Sequence, residues 1–181
     1  ELTEQFRDET DRNVWSVLIG SFGYLNRLIL PAERPRLEAL ARDRLAPAVR
    51  RLGWEPAPGE SDLTRQLRGD LLRSVGTLGN DQAVQRTARE LYARHEKDPH
   101  AVEANLVPAL ISILAHAGGE TEYREFLEKF KSAKTPQDEQ RYLYSLAGFR
   151  QPVLLEQTLQ RTLSGEVRSQ DVHLVLGPAK A

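Results

Sequence analysis

The sequence contains neither cysteine nor methionine. Without cysteine there can be no disulfide and no thiolate metal ligand, which fits a reducing compartment and sets the cytoplasm as the expected location. Without methionine there is not even an initiator, and the chain opens mid-phrase at Glu1, so the expectation is a piece of a longer polypeptide. No apolar run approaches the roughly 20 residues that span a bilayer. The opening Glu1-Leu2-Thr3-Glu4 also lacks the basic and apolar regions of a signal peptide, so no membrane partner is expected. Neither sign of charge prevails: charged residues make up 28% of the chain and sum to −1. No global field steers the protein toward nucleic acid or an anionic surface, and no nucleic-acid partner is expected.

What is present is leucine. It outnumbers isoleucine 27 to 4, and the apolar residues recur at three- and four-residue steps, the period of helices and not of strands. At 181 residues the chain can bury roughly 70% of the surface its unfolded form exposes, enough for a core without metal or disulfide support. A first helix is expected from about Asp11 to Leu30, with Val14, Trp15, Leu18, Ile19, Phe22, Leu25, Leu28 and Ile29 in a broad stripe and a bend at Gly20 and Gly23. A second, from about Glu33 to Leu52, carries Pro47 in its interior, so a kink or break near Leu45 is expected. Residues Gly53 to Glu60, with Pro56, Pro58 and Gly59, read as a connector. Ser61 or Asp62 then caps a third helix, with Leu63, Leu67, Leu71, Val75 and Leu78 at four-residue steps until Gly79.

Three glycine-containing turns, at Gly79, Gly118-Gly119 and Gly148, each join two amphipathic segments and recur every thirty to forty residues or so, the range of helical-hairpin repeats. The pairs run from about Ser61 to Glu96, Ala101 to Lys131 and Pro136 to Leu163. Thr135-Pro136-Gln137-Asp138 supplies a hydroxyl cap, proline at the first helical position and an acid at the third. Each hairpin has an apolar face it cannot bury alone. The expected fold is therefore all-α, an α-α superhelix of stacked helical hairpins of HEAT/ARM type, forming a single domain over residues 1–181.

The residues offer little chemistry. His95-Glu96-Lys97-Asp98-Pro99-His100 places two histidines around a glutamate, but a zinc-peptidase helix needs them four apart on one face. Five apart they diverge by about 140° at 100° per residue, and Pro99 ends the helix besides. His95 reads instead as a helix-terminal residue favoured by the dipole. His116 and His173 have no partner at a ligand spacing, and Gly165 and Gly177 read as helix stops and not as a phosphate loop. Arg34, Arg36, Arg42, Arg44, Arg50 and Arg51 are interrupted by Glu33, Glu38 and Asp43 with no interleaved aromatic, so they read as a mixed-charge solvated face. Tyr142 with Tyr144, and Phe126 with Phe130, read as packing residues. No catalytic and no metal-binding residue is assigned.

Four phrases carry a resemblance. Arg51-Leu52-Gly53-Trp54, followed by Pro58-Gly59-Glu60, Leu63 and Leu67-Arg68-Gly69, resembles a passage in the C-terminal domain of M1-family aminopeptidases of the puromycin-sensitive and endoplasmic-reticulum type. Asn13-Val14-Trp15-Ser16-Val17-Leu18 is similar to the opening of that domain, and Gly118-Gly119 with Tyr123 to its middle. Glu166-Val167-Arg168-Ser169-Gln170-Asp171, followed by Val175-Leu176-Gly177, is similar to a segment near its end. The family's zinc motif and exopeptidase signature belong to its catalytic domain and are absent here.

The resemblance implies a non-catalytic domain that walls the peptide-binding cavity of a zinc aminopeptidase. Its partners would be the other domains of the same parent chain and, in the parent, the peptide substrate. No cofactor belongs to this part, zinc being held in the parent's catalytic domain. The family continues through further helices, so the last repeat is expected to be truncated. Trp15, Gly53, Trp54, Arg68, Arg168, Gln170 and Asp171 are the motif residues, expected to be structural. Trp54 is expected to anchor the connector, and Gln170 and Asp171 to cap or tie the last helix. The alternative is a free-standing HEAT-like interaction scaffold.

Overall fold

The computed structural model describes residues 2–176, so the expected stop at Gly177 lies outside the described residues. Over these the fold is all-α. The helices are α1 Arg12–Leu28, α2 Arg34–Leu52, α3 Asp62–Gly76, α4 Gln82–Lys97, α5 Val107–Ala117, α6 Glu120–Ser132, α7 Pro136–Leu146, α8 Pro152–Ser164 and the short α9 Val172–Leu176. The chain divides into two compact units, Glu1–Ile113 and Leu114–Ala181.

The caps explain the starts. Asp11 accepts from the backbone N–H of Asn13 and Val14, Ser61 from Thr64, and Asp81 from Ala83 and Val84, each satisfying donors that the first turn leaves free. Thr135 does the same for Asp138 at 3.1 Å, with Pro136 at the first helical position.

In the first unit α1 and α2 pack on α3 and on each other, and α3 packs on α4. Trp15 and Phe22 from α1, Leu37, Ala41, Leu45 and Ala48 from α2, and Leu67, Leu71 and Val75 from α3 form one buried cluster. No internal glycine or proline ends its helix in this unit. Helix α1 runs unbroken through Gly20 and Gly23. Helix α2 likewise runs unbroken through Pro47, because the bond that Pro47 forfeits is outweighed by the packing of its neighbours Leu45 and Ala48, both fully buried. The carbonyl left without that partner belongs to Asp43, on the exposed side of the helix. After α4 the chain makes a 3-10 turn at Pro99–Ala101, so α5 begins at Val107 and not at Ala101.

Gly76 marks a close approach of α3 to α5. A Cβ there would lie 2.7 Å from Cγ1 of Ile113, so only glycine lets α3 come this near to α5.

In the second unit the most extensive packing is α6 on α7, with α9 lying on both α7 and α8. Its core is aromatic. The rings of Tyr123 and Phe149 meet edge-on at 5.2 Å, and Phe126 lies 5.9 Å from Phe149 and 5.6 Å from Tyr142. Tyr144 does not join them. Two residues along a helix from the buried Tyr142 it points away, and it is exposed.

Candidate functional site

Four of the motif residues fall in the first unit. Arg68, in the middle of α3, is 2% exposed and faces the long connector that follows α2. Its Nη2 donates to Oε1 of Glu60 at 2.6 Å and its Nε donates to the carbonyl of Leu52 at 3.2 Å. One guanidinium therefore holds both ends of the 53–60 connector against α3, neutralising a carboxylate and satisfying a carbonyl at the C-terminal end of α2. The hydrogen bond from Arg68, working against burial, holds the Glu60 carboxyl below its ordinary value, and the charges of Arg68 and Arg65 add to it. Arg68 Nη1 and Glu60 Oε2 are enclosed without a protein partner, so the pair keeps a residual desolvation cost.

Gly53 closes α2 with its N–H on the carbonyl of Val49, at φ 62° and ψ −159°. That backbone region is essentially open to glycine alone, which is why the motif has glycine where the space around it is empty. Trp54, the next residue, lies half-buried in the connector and outside the buried cluster.

Trp15 is buried in that cluster, and its indole N–H donates to the carbonyl of Glu9 at 3.0 Å. The same carbonyl accepts from Nη2 of Arg51, the residue that opens the motif around Gly53. Two motif phrases thus meet on one backbone oxygen. The arginines of α2 do more than solvate a face. Arg44 bonds Glu4 and Thr3, Arg51 bonds Glu9, and Arg42 donates to the carbonyl of Gly79. Sequence reasoning missed these ties because each partner lies forty or so residues away along the chain, where no local pattern points.

The other three motif residues fall in the second unit. Asp171 is buried, and Nε of Arg168 donates to its Oδ2 at 2.8 Å, while Nη2 of Arg168 donates to Glu139 on α7 at 2.9 Å. Arg168 so fastens the turn before α9 onto α7. Gln170 is exposed, and its backbone carbonyl lies 2.7 Å from Nδ1 of His173. Deeper in this unit Thr158 places its Oγ1 within 3.1 Å of the carbonyl of Leu146, 3.0 Å of that of Leu154 and 2.9 Å of the Tyr123 hydroxyl. Its single proton is engaged by the two carbonyls, so the Tyr123 hydroxyl is the donor to Thr158. Close by along the chain, Arg161 on α8 and Lys131 on α6 both reach Glu166, at 2.6 and 3.4 Å, and the bond from Arg161 holds the Glu166 carboxyl below its ordinary value.

His95 and His100 are not brought together as ligands: one is on α4, the other in the 3-10 turn after it. Among the described residues no group of three or more His, Cys, Asp or Glu side chains is placed to hold a metal ion. The described residues do not fit a zinc site. No helix among the described residues is long and apolar enough to cross a membrane.

The motif residues contact connectors, turns and helix ends within this chain. The chain matches the ERAP1-like C-terminal domain over residues 1–180. It belongs to that family. Its relatives include Aminopeptidase M1-A of Oryza sativa subsp. japonica, 27% identical over 177 residues that cover 94% of this chain and 20% of that protein. Aminopeptidase 2, mitochondrial, of Saccharomyces cerevisiae is 23% identical over 184 residues, 99% of this chain and 19% of that protein. Glutamyl aminopeptidase of Bos taurus is 24% identical over 179 residues, 97% of this chain and 18% of that protein. The chain spans about a fifth of the length of the curated relatives it matches. This is a C-terminal domain of the M1 aminopeptidases.

Proposed function

We propose that this ERAP1-like domain is a non-catalytic wall of the peptide-binding cavity in a larger aminopeptidase, and that it assists removal of residues from peptide N-termini by a catalytic domain elsewhere in the same chain. The observation that carries the reading is the family match over nearly the whole length, together with relatives that are all named aminopeptidases and are about five times as long. In this reading the chain is one helical-repeat domain of HEAT-like type. Such a stack can present polar residues on a concave wall without disturbing its core. The zinc that the family resemblance implies would be held by the catalytic domain, and what this domain supplies is enclosure and contact with the distal part of the peptide.

The reading extends to a cytoplasmic parent, which fractionation against compartment markers tests. A free-standing scaffold has no specific observation in its favour.

A peptide carrying a photo-crosslinker far from its N-terminus, bound to the parent enzyme, tests the wall. Labelling within residues 2–176 is the expected result. Labelling confined to other parts of the parent would remove this domain from the cavity.

A further inference from the structure

Helix α1 has more apolar surface than its unit can cover. Between Arg12 and Leu28 there is no acidic residue, and the only charges are Arg12, which pairs with Asp70 at 2.9 Å, and Arg27, which lies 5.9 Å over the ring of Tyr24. One side of the helix delivers Trp15 and Phe22 to the buried cluster, with Leu18, Ile19 and the following Ile29 packed against it. The opposite side is apolar as well. Val17, Tyr24 and Leu28 fall within an arc of about 40° at the helical step of 100° per residue, flanked by the small or neutral Asn13, Gly20 and Ser21. Val17 is 70% exposed, Tyr24 57% and Leu28 63%, and Leu30 just beyond the helix is 71% exposed.

A helix that is apolar all round belongs in an interior. The apolar α5 follows that rule, with Val107, Ala109, Leu110, Ile111 and Ile113 all buried, whereas α4 leaves Arg86, Arg89, Glu90 and Arg94 exposed. A contiguous apolar strip flanked by small neutral residues is what a close-packed partner requires, and its lack of acids offers nothing to a charged one.

We infer that the Val17–Tyr24–Leu28 face is an intramolecular docking surface, covered in the full protein by apolar polypeptide of the same parent aminopeptidase chain. This rests on the reading of the chain as part of a longer aminopeptidase. The occupant follows from length: relatives that match this chain along nearly all of its residues have about four-fifths of their own chain outside it. A covalently attached segment is present at high effective concentration, so it occupies the face ahead of a second copy or a free partner.

The test is hydroxyl-radical footprinting of Tyr24, Leu25 and Leu28 in the full-length parent, held at concentrations where light scattering reports a monomer, with aminopeptidase activity measured on the same sample. In the active monomer, Tyr24 and Leu28 are protected while the exposed Leu163 is oxidised. Replacing Val17, Tyr24 and Leu28 together by glutamine, which keeps helix propensity, lowers the parent's melting temperature by several degrees. Oxidation of Tyr24 and Leu28 to the level of Leu163, or a melting temperature unchanged in the triple variant, overturns the inference. So does protection that appears only when the parent self-associates. A parent without aminopeptidase activity would defeat the functional reading separately, because the footprint is read independently of it.

Discussion

Arg68 donates to Oε1 of Glu60 from eight residues downstream and, with its Nε, to the carbonyl of Leu52, so a single buried guanidinium spans the whole connector between α2 and α3. An arginine at 2% exposure facing a carboxylate at 10% is tolerable only as a pair. Replacing Arg68 by methionine keeps much of the volume and leaves Glu60 enclosed without its counter-charge. The expected loss of stability is about 3 kcal/mol, read from urea unfolding of the chain. A change under about 0.5 kcal/mol, the range of an ordinary surface substitution, would show that the tie is idle.

The same pair makes stability depend on pH. The Glu60 carboxyl is held below its ordinary value in the folded protein, chiefly by the hydrogen bond from Arg68. Its contribution is complete above the unfolded value of about 4.3 and is lost as the pH falls through the lower folded value. Glu166, lowered by Arg161, acts in the same direction. Melting temperatures between pH 7 and pH 3 should therefore fall most steeply in the acid range. In Glu60→Gln that fall becomes shallower, and an identical profile in the variant would locate the acid sensitivity elsewhere.

Two glycines separate backbone strain from helix propensity. At Gly53 a side chain meets nothing within 4 Å but must adopt φ 62° with ψ −159°, so Gly53→Ala should cost about 1–3 kcal/mol. At Gly23, inside α1 and equally unobstructed, alanine should gain about 0.5–1 kcal/mol. Denaturant midpoints of the two variants moving in the same direction would contradict the assignment of strain to Gly53.

Much of this was legible from residue order. Leucines at three- and four-residue steps announced the helices, and the hydroxyl caps Ser61 and Thr135 stand at the starts of α3 and α7. The resemblance found the motif residues, yet it did not say what Arg68 does. Glu60 stood in the same phrase, and a base and an acid flanking a proline- and glycine-bearing connector was the available signal. Pro47 does not break α2, because propensity describes a helix alone, while Leu45 and Ala48 are fixed by the core. The glycine turns showed where helices join, as α7 and α8 do across Gly148, but not that the most extensive packing is α6 on α7 across Ala133–Thr135. Turn residues report where a chain reverses, and the breadth of contact is set by facing side chains further along.

Gly76 and Ile113 form a steric pair. Alanine at 76 would place its Cβ 2.7 Å from Cγ1 and 3.1 Å from Cγ2 of Ile113, so Gly76→Ala should cost about 1–3 kcal/mol. Ile113→Ala alone should cost about 2–5 kcal/mol by opening a cavity. The double variant should lose clearly less than the sum, because the new methyl enters the space vacated. Additive losses would mean that the two positions do not meet.

Thr158 is the polar centre of the second unit. Thr158→Val keeps the shape and removes the hydroxyl that bonds both the Tyr123 hydroxyl and the Leu146 carbonyl. A loss of about 1–3 kcal/mol is expected. Tyr123→Phe should cost less in the Thr158→Val background than in the native chain, since the bond between the two hydroxyls is already gone. Additive losses would mean that the two hydroxyls do not depend on one another.

If this ERAP1-like domain serves an aminopeptidase without holding its chemistry, hydrolysis depends on the rest of the parent chain. Hydrolysis of a fluorogenic amino-acid amide should be measured for the 181-residue chain alone and for the full parent chain, each with added zinc and with chelator. The account predicts activity in the parent that the chelator abolishes, and none in the chain alone under either condition. Hydrolysis by the chain alone would place an active site within these residues and contradict the account.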